Sequence, residues 1–99
     1  MGIAHWQSGE GPRDKLLERG ERSLSDAELL AVMLRSGYRN CSALQLASDL
    51  LDQFDGLTGL MRVDRARLVA WPGIGDAKYA QLRAALELAR RQALQALRA

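Results

Sequence analysis

Trp71-Pro72-Gly73-Ile74-Gly75-Asp76-Ala77-Lys78 is the stretch from which the fold can be read. Downstream of it Tyr79, Leu82, Leu86, Ala89, Ala93 and Leu97 recur every three or four residues, which a helix gathers into one face of about 80° at roughly 100° per residue. Upstream, Asp64 can cap a short helix running through Arg65, Leu68 and Val69 into Trp71. Two helical patterns are thus separated by a few residues, too few for a wandering loop and enough for a tight reversal, a helix-hairpin-helix. Pro72 stops the first helix, Gly73 and Gly75 permit positive φ or close approach of another backbone, and Ile74 can plug the turn into a core.

Such a turn leaves the first amides of the following helix without partners at the positive end of a helix dipole, which is where an anion binds. The expected nucleic-acid-binding residues are therefore Gly73, Ile74, Gly75, Ala77, Lys78 and Arg83, with Lys78 adding its ammonium to the same oxygen. Asp76 opposes this unless it points away. No base-reading constellation accompanies the turn, so the expected contact is with backbone phosphate and independent of sequence.

The rest of the chain reads as helices. It has 18 Leu and 15 Ala but three Val, two Ile and one Thr, so helix formers dominate and the expected class is all-α, a compact bundle of about five helices. Pro12 suits a first helical position and Gly20 a stop, giving a helix over residues 13–19. Leu24-Ser25-Asp26-Ala27-Glu28-Leu29 is a capping box with a hydrophobic staple, and the helix behind it is expected to run to about Ser36 with Gly37 as its left-handed terminal residue. Ser42-Ala43-Leu44-Gln45 repeats the capping logic for a helix ending near Phe54; Asp55-Gly56 breaks it, and residues 58–62 look like one turn. Val32, Gly37, Leu46 and Leu50 stand 36 positions before Leu68, Gly73, Leu82 and Leu86, either a degenerate first hairpin or a coincidence among abundant leucines.

Charge is uneven. Residues 1–61 carry six Lys+Arg against nine Asp+Glu, net −3, whereas residues 62–99 carry eight against three, net +5. The later third is the face expected to meet a polyanion, against the plainer alternative of a solvated helix surface. Cys41 and His5 are single, so zinc, disulfide and His-based catalytic sites lack their ligands. Cys41 reads as a staple onto Leu46, and a triad of His5 with Ser23 or Ser25 has no supporting spacing. No apolar run reaches the roughly 20 residues that span a bilayer. The expectation is a cytoplasmic, non-enzymatic chain with no cofactor, no metal and no membrane partner.

Trp6, Gly11-Pro12-Arg13-Asp14-Lys15-Leu16-Leu17, Gly20, Leu24-Ser25-Asp26-Ala27-Glu28-Leu29-Leu30-Ala31, Gly37 and Gly73-Ile74-Gly75-Asp76-Ala77-Lys78 with Glu87-Leu88-Ala89-Arg90-Arg91 resemble the amino-terminal domain of the bacterial RadC family. Gln7 departs from that family's usual proline after Trp6. The resemblance implies a SAM/RuvA-domain-2-like fold divided into an arm (1–11), a helical domain (12–91, with the hairpin at 65–91) and a tail (92–99) leading to a second domain. In the family that domain is similar to JAMM-type zinc metallopeptidases, and this chain carries none of its metal site. The implied roles are a weak, non-specific DNA-backbone contact in a DNA-repair-associated protein, or a surface docking a protein partner or the chain's own peptidase domain.

Overall fold

The computed structural model describes residues 11–98. Ile3, His5 and Trp6, expected in an N-terminal arm, lie outside them. Among the described residues there are six α-helices and no strand: α1 (Pro12–Arg19), α2 (Asp26–Leu34), α3 (Ala43–Gln53), α4 (Gly56–Arg62), α5 (Arg65–Val69) and α6 (Asp76–Arg98), with a 3-10 turn at Glu21–Ser23. No described helix is long and apolar enough to cross a membrane.

Local chemistry sets most boundaries. Pro12 starts α1, and Gly20 follows its last residue. Ser25 Oγ accepts from the Glu28 amide at 3.1 Å while the Ser25 amide donates to Glu28 Oε1 at 2.8 Å, a complete capping box. Lys15 Nζ reaches the same carboxylate at 3.1 Å, tying α1 to the start of α2. Ser42 accepts from the Gln45 amide at 3.1 Å, but the Gln45 side chain donates to Asp49 at 2.9 Å instead of returning, so the expected second box is half made. Asp64 accepts from the Arg67 amide at 2.8 Å and caps α5.

The Ser25 amide first and the Lys15 ammonium second hold the Glu28 carboxyl below its ordinary value of 4.5. A carboxyl depressed by folding contributes stability that is complete above its unfolded value and is lost as pH falls through the folded one. Glu28→Gln keeps the capping geometry but removes the charge. Its melting temperature is therefore expected below the parent's at pH 7, with the gap closing as both are titrated below pH ~4.5 in thermal unfolding.

Two boundaries differ from expectation. Helix α2 ends at Leu34 because the chain turns at Arg35, which itself takes the positive φ of 71°. Gly37 serves another purpose: a Cβ there would lie 1.8 Å from the Cys41 carbonyl oxygen, across the paired Tyr38 and Cys41 amides. Helix α4 begins at Gly56, directly after left-handed Asp55, and so is longer than the single turn expected.

The core is assembled mainly by α2 against α3. Leu34, Leu46, Leu50 and Leu68 are fully buried, and Ile74 joins them at 3 % exposure. Cys41 packs on this cluster as a small apolar residue, and Trp71 meets Phe54 edge-on with ring centroids 6.2 Å apart. Helix α6 crosses residue 91 without a break, and every residue from Leu88 to Arg98 is exposed.

Candidate nucleic-acid interface

The turn between α5 and α6 is built from its glycines and one apolar plug. Gly73 has φ 92°, which a side chain would strain, and its missing Cβ would stand 2.6 Å from the Tyr38 Cβ. Gly75 is different: its φ is not positive and a Cβ there would meet nothing. Nothing in the described chain requires glycine at that position, so the space beside it is open to a molecule from outside.

Ile74 is the plug expected from the sequence, and its amide already donates to the Trp71 carbonyl at 3.0 Å. The first bond of α6 runs from the Tyr79 amide to Gly75 at 3.0 Å. Among the described residues no group accepts from the amides of Asp76, Ala77 or Lys78. Asp76 turns its carboxylate to Arg65 at 3.0 Å, both exposed, which partly neutralises the charge that would oppose an anion.

Lys78 does not project freely. Its ammonium donates to Ser36 O at 2.8 Å and Gly73 O at 3.2 Å, fastening the end of α2 to the turn and leaving one of its three protons. Arg83 donates to the carbonyls of Met61 and Val63, closing the end of α4, with its plane 5.3 Å from the Tyr79 ring. Arg83 is therefore placed away from the turn and occupied within the fold. Of the expected residues, Gly73, Gly75, Ala77 and Lys78 lie along the turn and the start of α6, Ile74 is buried beneath them, and Arg83 lies apart at the end of α4.

Sequence reasoning missed the other wall. The loop after α2 lies against the turn: Tyr38 touches Gly73, and a surface depression of about 400 Å³ is lined by Arg35, Ser36, Ala77, Lys78 and Gln81. Arg35 and Arg39 are exposed and make no ion pair among the described residues. The Arg39 guanidinium lies 5.2 Å from the Tyr38 ring centre. The 36-residue echo was the available signal, because it aligns this loop with the turn. By contrast Arg90 and Arg91 both bind Glu87, at 2.8 and 2.9 Å, and hold its carboxyl down at about 2. No group of three or more His, Cys, Asp or Glu among the described residues is placed to hold a metal.

A helical domain whose α5–α6 turn borders a depression lined by Arg35 and Lys78 falls in a family already defined by sequence. The family model described as UPF0758 N-terminal matches residues 3–80, and the chain belongs to the UPF0758 family. Its relatives include UPF0758 proteins of Halorhodospira halophila, 56% identical over 91 residues (92% of this chain, 41% of that protein), and Shewanella baltica, 55% identical over 93 residues (94% and 41%). That of Pseudomonas syringae pv. tomato is 51% identical over 98 residues, covering 99% of this chain and 44% of that protein. The chain thus spans about two fifths of the length of these relatives. No solved structure matches it.

Proposed function

We propose that this chain is the RadC-like, non-catalytic DNA-binding module of a longer protein, contacting backbone phosphate without reading sequence through its helix-hairpin-helix. The observation that carries the reading is the depression where Arg35 meets Ala77 and Lys78, at the end of α6 whose first amides have no acceptor among the described residues. A phosphate oxygen there would receive helix amides, the remaining Lys78 proton and a guanidinium. Gly73, Gly75, Ala77 and Lys78 stay in the site, and Arg35 and Arg39 replace Arg83 as its exposed cations. The degenerate first hairpin is then the Ser36–Asn40 loop, which supplies charge in place of helix amides.

Two phosphate contacts set the scale. Binding falls at or beyond the weak end of non-specific affinities, a Kd of about 10⁻⁴ M, with log K falling with log salt at a slope of roughly −2. Fluorescence anisotropy with labelled duplexes of unrelated sequence should give equal affinities. Arg35→Glu with Arg39→Glu should abolish binding at low salt and leave the circular dichroism unchanged. Undiminished binding by that double variant would overturn the reading.

A second reading, docking onto the remainder of the longer relatives, is favoured by Leu88 and Leu94 on the exposed end of α6, at 68% and 38% exposure. Such a surface would serve the JAMM-type peptidase domain implied by the resemblance to RadC. Leu88→Glu would impair that docking while leaving DNA affinity intact.

A further inference from the structure

The apolar face of α6 does not stop where the globule stops. Leu82, Ala85 and Leu86 form one wall of an apolar groove of about 270 Å³, closed by α2 and α4 through Leu29, Met33 and Met61. The same stripe continues as Ala89, Ala93 and Leu97 along the exposed end of the helix, where Leu97 is 82% accessible. That end projects eleven residues, roughly 16 Å at about 1.5 Å per residue. One helix therefore carries a half-open groove at its start and an uncovered stripe at its end.

We infer that α6 pairs antiparallel with α6 of a second copy about a twofold axis near Ala89, each copy laying its exposed stripe into the other's groove. Residues whose numbers sum to 178 then share a level, so Ala93 of one copy meets Ala85 of the other and Leu97 reaches the level of Gln81 and Leu82. Small residues at the centre let the backbones approach, and Leu97 has a groove to enter. Charge favours the same arrangement. Arg90 and Arg91 share Glu87, and with Arg98 the helix end from residue 87 onward is net +2, whereas the charged residues lining the groove are Asp26 and an Arg83 whose guanidinium is taken up by the Met61 and Val63 carbonyls. The bonds from Gln81 to Met33 O and from Lys78 to Ser36 O run α2 antiparallel to α6, which brings Asp26 to the groove's open end, beside the incoming basic helix.

The paired strip, about 22 Å long and 10 Å wide, is small beside the roughly 800 Å² per partner of a standard interface, so the dimer is weak and concentration-dependent. This inference does not rest on the phosphate reading, although the partner's Leu97 comes level with Gln81 at the edge of that depression. Analytical ultracentrifugation of the 99-residue chain should show monomer at about 10 μM and substantial dimer near 1 mM, weakened at least about tenfold by Leu97→Glu and unaffected by Leu88→Glu. Ala89→Cys should form a disulfide-linked dimer on oxidation at high concentration, whereas the parent chain, with Cys41 half-buried, should not. A monomer throughout, equal effects of the two leucine variants, or failure of Ala89→Cys to cross-link would each overturn the proposal.

Discussion

Leu50→Ala is expected to cost about 2–5 kcal/mol, a large part of the roughly 5–15 kcal/mol that stabilises a domain of this size. Leu50 has no accessible surface and lies where α3 meets α2, in the cluster that includes Leu34, Leu46 and Phe54. Removing its branched end takes away transfer free energy and leaves a void that helices fixed by two capped starts cannot fully close. Urea unfolding should show a lower midpoint with an unchanged slope. Leu88→Ala, in an exposed position on α6, should stay within about 0.5 kcal/mol of the parent. Comparable losses in the two variants would place the core elsewhere.

Gly73→Ala is the second large effect. The left-handed backbone costs an alanine about 1–2 kcal/mol, and pushing the new methyl against Tyr38 adds roughly 1–3 kcal/mol. The clash is with a Cβ, which no side-chain rotation removes. Gly75→Ala, two residues on, should change stability by no more than about 1 kcal/mol, since its φ is not positive and its Cβ meets nothing. On the phosphate reading the same methyl obstructs the approach to the α6 amides and lowers DNA affinity about tenfold, the scale of one charge-assisted hydrogen bond. On that reading Gly73 is a folding glycine and Gly75 a ligand-facing one. Paired denaturation and anisotropy measurements separate them, and a Gly75→Ala chain that binds DNA as the parent does would remove Gly75 from the site.

Helix positions were legible because capping, Pro and Gly act locally. Ser25 with Glu28, Pro12 and Asp64 each sit where their chemistry predicts. The expected α2 terminus at Ser36 was wrong for a non-local reason: Arg35 turns the chain so that Tyr38 and Cys41 can pair and pack by Gly73. The site was half legible for the same reason. A glycine turn before an amphipathic helix announces free amides, but whether a cation faces the ligand depends on which carbonyls lie within its reach. Lys78 and Arg83 find carbonyls of Ser36, Gly73, Met61 and Val63, whereas Arg35 and Arg39 find none among the described residues. Spacing along one helix cannot reveal a carbonyl from another.

On the proposed function, phosphate enters between the α5–α6 turn and the loop after α2. Amide chemical-shift mapping of the nitrogen-15-labelled chain with duplex DNA at low salt tests it most directly. Shifts should cluster at residues 73–78 and 35–40, grow with DNA and be reversed by added salt. Shifts confined to the exposed arginines of α6, Arg90, Arg91 and Arg98, or no shifts at all, would contradict it.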